Sequence, residues 1–443
     1  MDKNRRVAVV GSGVAGAVTA WLLRDACEVS LFERDTRFGG HTHTVMVREG
    51  KVDVPIDTGF MVFNRPNYPL LSALFDHLGV ASYPTDMSFA ASIDSGRLEY
   101  AGTDINTLFG QRGNLMRRAF WHMLGDVLRF NRLAERTLEN PPDAAVTLAA
   151  FLDANRFGAP FREHYLYPMA AAIWSSPSAR IGEFPAVAFL RFFANHGLIR
   201  IADRPRWLTV EGGSRSYHDR LIADLGPRAQ HGTAVVRVER ARDGVTLVFA
   251  DGARAHFDDV VLACHSDQAL ALLAQPSNAE RAVVGAIAYQ PNRVLLHTDA
   301  ALMPRRRRVW SSWNYLRDGD SAQAPVSVTY WMNSLQRLPT QRNYFVSLNP
   351  TRDPAPASRV AEFHYDHPVF DTTALRAQGE LHRIQGVART WYAGAWTGYG
   401  FHEDGVRSAV EVAAALGAHV PWRTQVAASR ALTLVPTLVG QPA

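Results

Sequence analysis

The stretch Val7-Ala8-Val9-Val10-Gly11-Ser12-Gly13-Val14-Ala15-Gly16, followed by Leu31-Phe32-Glu33-Arg34, decides the fold of this chain. Residues 7–10 are an apolar, β-branched run that reads as a buried parallel strand. Gly11 permits a tight turn, Gly13 lets the backbone approach a pyrophosphate, and Gly16 lets the next helix pack close to the strand. Val14 and Ala15 belong to the same cradle. The helix, expected over residues 17–24, aims its N-terminal N–H groups and positive dipole end at the phosphates. Residues 29–32 form a second strand ending in Glu33, with Arg34 beside it. A carboxylate there suits an unphosphorylated ribose 2′-OH, hence FAD or NAD and not NADP.

The residues just after Glu33 select FAD. Arg37-Phe38-Gly39-Gly40-His41-Thr42 offers a second backbone approach to the pyrophosphate, so that the cofactor lies extended. In Val54-Pro55-Ile56-Asp57-Thr58-Gly59-Phe60-Met61, Gly59 is a further close-approach position. Near the other end stands Trp391-Tyr392-Ala393-Gly394-Ala395-Trp396-Thr397-Gly398-Tyr399-Gly400-Phe401-His402-Glu403-Asp404-Gly405. Asp404 and Gly405 precede an apolar helix expected over 406–416, beginning at Val406, and would supply its N-cap and a positive helix end. A chain that commits both ends to one cofactor is most simply a flavoenzyme.

At 443 residues the chain exceeds one ordinary core, so two lobes are expected. Residues 1–67, 207–290 and 386–420 are assigned to a discontinuous FAD-binding domain, 68–206 and 291–385 to a substrate domain, and 421–443 to a tail. The fold class is α/β, a Rossmann-like domain joined to a mixed-sheet and helical α+β domain. In the middle segment, 216–225 reads as a helix, 233–239 and 257–263 as strands, and 244–256 as a hairpin turning at Asp251-Gly252. Residues 68–206 read as mainly helical, and 293–297, 326–332 and 344–348 as strands. Dense aromatics there, Trp174, Phe192, Phe193, Trp313 and Tyr330 among them, favour an apolar cavity.

Composition excludes several classes. No run approaches the roughly 20 apolar residues of a membrane span. Residues 1–6 enter the first strand directly, leaving no signal-peptide pattern, so a cytoplasmic protein is expected. Cys27 and Cys264 read as two buried, reduced thiols, and no metal-ligand spacing exists. The formal charge of +5 is carried almost wholly by arginine, since Lys3 and Lys51 are the only lysines. Nothing reads as a nucleic-acid module, and no Gly-x-Ser-x-Gly elbow supports a hydrolase.

The chain resembles the flavin-containing amine oxidase and phytoene desaturase superfamily. The resemblance rests on Glu33-Arg34, on Gly39-Gly40-His41-Thr42 and on Asp57-Thr58-Gly59. It narrows to a bacterial amine-oxidase-like branch through Glu163-His164-Tyr165-Leu166-Tyr167-Pro168, Ala172-Ile173-Trp174-Ser175, Phe192-Phe193-Ala194-Asn195-His196-Gly197-Leu198, Gly212-Gly213-Ser214-Arg215 and Ala263-Cys264-His265-Ser266-Asp267-Gln268-Ala269. It implies that the strand over 233–239 meets the adenine at Val236, that Ala263 returns the chain to the cofactor, and that the helix beginning near Asp404 faces the flavin pyrimidine. Members of the branch are commonly encoded beside cyclopropane-fatty-acid synthase-like enzymes. Many amine oxidases place a lysine, through a water, beside the reactive flavin nitrogen; here no lysine occurs after Lys51.

Acid/base candidates are Tyr399, His402 and His196, with His364 and Glu403 also considered; His41 and His43 are expected to line the pyrophosphate. Two features suggest a lipid. Residues 114–133 place Met116, Phe120, Met123, Leu124, Val127 and Leu128 on one helical face, and Arg305 to Arg308 stand beside Trp310 and Trp313. Both suit peripheral contact with an anionic membrane on its inner face. The leading expectation is hydride transfer between FAD and an apolar, unsaturated fatty-acyl or lipid substrate, as a desaturase or saturase. The alternatives are a fatty-acid double-bond isomerase, an amine oxidase and a non-catalytic flavin-binding subunit. The sequence leaves the electron acceptor open.

Overall fold

The computed structural model describes residues 4–143, 145–174, 178–200, 204–319 and 327–422. Ser175 of the branch motif, Val326 of an expected strand and the tail beyond 422 lie outside the described residues. A five-stranded parallel sheet runs in the order Thr390–Tyr392, Asp259–Leu262, Arg6–Val10, Glu28–Phe32, Ala229–Gln230. The helix Val14–Leu23 begins three residues before its expected start, and all ten of its residues are buried. It is apolar all round because it is covered by the sheet and by two further helices, Arg215–Leu225 and His402–Ala415. Gly405 makes the second packing possible, since a β-carbon there would lie 2.7 Å from the Val14 side chain. Trp422 closes this core by stacking on Trp21, with ring centroids 6.0 Å apart.

A three-stranded antiparallel ribbon comprises Val235–Arg240, Val245–Phe249 and Arg254–Phe257, with Gly252 at φ +84° in the expected turn. The second large sheet is mixed and has seven strands. Their order is Arg359–Val369, Ala288–His297, Phe345–Leu348, Ser327–Trp331, Trp313–Arg317, Phe89–Ile93, Leu98–Ala101. The helices Arg118–Glu139, Leu148–Ala154, Tyr167–Trp174 and Ala186–Asn195 share an apolar core with its Phe89–Ile93 end.

Residues 68–206 are mainly helical, as expected, and also supply the two strands at one edge of the mixed sheet. Two readings are corrected here. The edge strand Arg359–Val369 was not anticipated. The long helix starts at Arg118 and buries Phe120, Met123, Phe130 and Ala134, whereas Met116 is 87% exposed and Leu128 43% exposed. Phe120, Met123, Leu124 and Val127 of the expected stripe do pack inward, while Leu128 is exposed and a turn at Arg112–Met116 precedes the helix and takes Met116 off its inner face.

Candidate functional site: a cavity between the two large sheets

One cavity of about 930 Å³ joins the glycine turns of the parallel sheet to the mixed sheet. It lies beyond the carboxyl ends of the parallel strands, at Val10, Phe32 and Ala263, the place where open α/β sheets bind ligands. Helix Val14–Leu23 points its N-terminus into it, and its N-cap, Gly13, has no side chain to close that end. Gly11, Gly13, Val14 and Ala15 line the wall. Gly11 takes φ +100°, and a β-carbon there would come within 2.9 Å of the Ala263 carbonyl oxygen. At Gly13 a β-carbon would meet nothing within 4 Å, so its open side is the cavity itself. Gly16 lies behind the wall, where a side chain would strike the Gly11 carbonyl.

Glu33 and Arg34 line the cavity, and the Glu33 carboxylate is fixed by Ser12 N–H at 2.9 Å, Ser12 Oγ at 2.6 Å and Asp35 N–H at 3.0 Å. Gly40 and His41 line it and Gly40 abuts Gly13, while Gly39 sits behind them and donates its N–H to Ser12 Oγ at 3.1 Å. Gly59, Phe60, Met61, Ala263, Gly394 and Ala395 complete this half. The His41 Nε2 atom is buried with no hydrogen-bond partner among the described residues. An uncapped helix end, a glycine cradle, a ribose-distance carboxylate and an unpaired ring nitrogen together fit a dinucleotide, with the diphosphate at Gly13 and Gly40 and the ribose at Glu33.

Three expectations shift, those for Val236, for Thr42, and for Asp404 with Gly405 and Val406. Val236 is 50% exposed and outside the cavity wall, which Thr233 and Val235 occupy; a bulge between Val235 and Arg237 turns Val236 outward. Thr42 is buried behind the wall, its hydroxyl 2.7 Å from Tyr217 Oη and 3.1 Å from His402 Nε2. Asp404 does not cap its helix from outside. The helix starts at His402, and Asp404, in its first turn, accepts the N–H groups of Tyr399 and Phe401 at 3.0 Å each and pairs with Arg407. Asp404, Gly405 and Val406 thus stand behind the wall. Asp57 also turns away, accepting from Thr44, Ser214 and Gln336, and burial raises its carboxyl to about 6.

All three acid/base candidates reach the cavity. His402 stacks on Phe60 with centroids 3.8 Å apart, and burial lowers it to about 3. His196 stacks on Phe192, its Nδ1 lies 2.9 Å from the Phe192 carbonyl oxygen, and burial lowers it to about 4. The Tyr399 phenol is raised by burial, and its hydroxyl has no hydrogen-bond partner among the described residues. All three are neutral near pH 7. His364 lines the wall as well, whereas His43 is set back and bonds Tyr365 Oη at 2.7 Å. Cys264 lines the wall as a thiol raised to about 12 by burial.

Glu403 stands outside the cavity lining, engaged by a helix end. Its two oxygens accept the N–H groups of Leu70 and Leu71, each at 2.9 Å, and so cap the helix Pro69–Leu78. Glu403→Ala leaves both donors without that acceptor, and should cost about 2 kcal/mol of stability in denaturant unfolding with flavin content unchanged.

Sequence reasoning missed His265, Tyr289 and His367 in the wall. Tyr289 and His265 stack at 4.6 Å, and His41 lies 5.2 Å from His367. Beyond the candidates, the mixed sheet offers an apolar floor of Val294, Trp313, Tyr330, Val346 and Leu348, with Phe89 beside it.

The profile of the family described as flavin containing amine oxidoreductase matches residues 14–417. An L-amino-acid oxidase of Siganus canaliculatus is 24% identical over 294 residues, 61% of this chain and 50% of that protein, so the match spans only half of the relative. Among solved structures, putrescine oxidase bound to putrescine superposes with a TM-score of 0.66 at 16% identity, covering 93% of this chain and 99% of that one. A CLA-producing fatty acid isomerase from P. acnes gives 0.67 at 14% identity, covering 94% and 100%. At these identities the likeness is one of fold.

Proposed function

We propose that this chain, which belongs to the flavin-containing amine oxidoreductase family, acts on an apolar, unsaturated acyl substrate. The protein is an FAD-dependent oxidoreductase. FAD, when bound, accepts or returns a hydride; the chain's own residues hold the substrate, exclude water and manage the proton.

The apolar floor carries the reading. Val294, Val346 and Leu348 face the cavity from central strands of the mixed sheet, with Trp313 and Tyr330 beside them. No lysine occurs after Lys51, and none is among the described residues that line the cavity. Asp86, a carboxylate at that end, already accepts from Ser88, Ser312 and Ser334, which weakens it as a partner for a substrate ammonium. Tyr399 and His196 offer neutral polar atoms to a substrate, and Arg204, which also lines the cavity, is a cation that repels an ammonium, so the wall suits an acyl chain better than an amine. Tyr399, with its unpartnered hydroxyl, is assigned the proton. Tyr399→Phe should slow turnover roughly 100-fold at unchanged flavin content.

A double-bond isomerase is the second reading, supported by the fold shared with the enzyme described as a fatty acid isomerase. Acyl-chain profiling of a strain lacking this chain separates the two. A changed number of double bonds supports net redox, and moved double bonds at constant number support isomerisation. An unchanged profile overturns both.

A further inference from the structure

We propose that a basic, apolar face built from residues 105–121 and the turn Arg307–Val309 docks the protein on an anionic lipid bilayer, beside the opening of its cavity. The proposal rests on the acyl-substrate reading and gives that substrate a place of entry. Its location differs from the one expected from sequence. Trp313 lines the cavity, and Trp310 is engaged, its Nε1–H donating to the Pro304 carbonyl at 2.7 Å and its ring covered by Arg307.

The exposed apolar side chains lie on a neighbouring segment. Ile105 is 78% exposed, Met116 87%, Trp121 51% and Leu115 47%. They are held in place: Trp121 packs on Phe109 at 5.4 Å and donates its Nε1–H to the Leu115 carbonyl at 2.9 Å. The short helix Ile105–Leu108 packs against the turn Arg307–Val309, and Gly110 abuts Val309 and Arg308. The two segments therefore form one surface.

Its charge is one-sided. Arg112, Arg117, Arg118, Arg305, Arg307 and Arg308 have no carboxylate partner among the described residues. Arg306, in contrast, pairs with buried Glu99. Asp104, the acid next to this segment, caps the helix Ile105–Leu108 by accepting the Thr107 N–H. Apolar side chains ringed by unpaired arginines match the interface of an anionic bilayer, whose headgroups take the charge and whose acyl boundary takes Ile105 and Met116. A second copy of the chain fits poorly, because it would set arginines against arginines. Gly102 and Thr103 are exposed and also line the cavity, only two residues before Ile105, so a chain leaving the bilayer here meets the opening.

The test is co-sedimentation of the FAD-loaded protein with vesicles of phosphatidylcholine, alone or mixed with phosphatidylglycerol. Binding is expected only to the anionic vesicles and is lost as salt rises. Arg118→Gln/Arg305→Gln/Arg308→Gln should weaken partitioning on the order of 100-fold, and Ile105→Ser/Met116→Ser should weaken it as well. Both variants should retain flavin and act on detergent-dispersed acyl substrate like the parent, which separates this face from the catalytic reading. Equal binding to neutral and anionic vesicles, or variants that bind like the parent, overturns the proposal. So does a dimer that dissociates on Ile105→Ser/Met116→Ser in a protein that ignores vesicles.

Discussion

Gly13→Val is expected to give a folded but colourless protein. Gly13 sits at φ −59° and ψ 178°, a conformation open to any residue, and a β-carbon there meets no atom within 4 Å. The substitution therefore costs the fold little. The valine fills the space between the helix N-terminus and Gly40 in which the diphosphate would lie, and should weaken FAD binding at least roughly 1000-fold, about 4 kcal/mol. Gly16→Val is the contrasting case. Its side chain strikes the Gly11 carbonyl, so it should lose the fold together with the flavin. Flavin absorbance and circular dichroism on both purified variants check the pair. A yellow Gly13→Val protein with stoichiometric FAD would remove the diphosphate from this turn.

The second large effect is an acid-labile apoprotein. Burial holds His43, His196 and His367 near 4 and His402 near 3, and lowers His41 well below its ordinary value. Each is neutral in the fold but protonates near 6.5 once unfolded. Their stabilisation is therefore complete above pH 6.5 and is lost as pH falls toward 4. At pH 5.5 each should cost about 1 kcal/mol relative to pH 7.5. Two buried carboxylates oppose them. Glu403 and Asp57 are raised by burial to about 7 and about 6, so the destabilisation they cause above those values is relieved on acidification. Five histidines outweigh two carboxylates, and a net loss of about 3 kcal/mol is expected. Urea unfolding of the apoprotein at pH 7.5 and 5.5 measures it. Equal or greater stability at pH 5.5 contradicts the neutral-histidine wall.

The parts of the site that were legible in the sequence are those whose reason is local. The first strand, its glycine turn and Glu33 lie within thirty-odd residues, and glycine is demanded there by close backbone approach. Asp404 was misread because a carboxylate before an apolar run looks like a cap from outside. Its true partners, the N–H groups of Tyr399 and Phe401, become visible only once the turn at Gly398 and Gly400 is folded. Glu403 could not have been understood from sequence, since the helix end it caps lies 333 residues away. The strand Arg359–Val369 carried a signal that was missed: Ala361, Phe363, Tyr365, His367 and Val369 alternate with Glu362, His364, Asp366 and Pro368. Its polar half resembles a loop, and Pro368 is tolerated because the strand lies at the sheet edge. Val236 and Val235 differ by a single bulge, which no hydrophobic pattern marks.

Charge on the substrate is what separates the acyl reading from the amine reading suggested by the names of the relatives. On the proposed reading, an apolar floor with no lysine among its described lining residues, flanked by neutral Tyr399 and His196 and by the cation Arg204, suits an acyl chain better than an amine. The most direct measurement is anaerobic mixing of the FAD-loaded enzyme with unsaturated acyl lipids and, separately, with primary amines and polyamines, monitored by flavin absorbance and product mass. The expected result is an acyl product altered in hydrogen count or double-bond position, and a flavin left oxidised by every amine. Rapid bleaching by an amine, with peroxide on admitting air and acyl lipids recovered unchanged, would contradict the account.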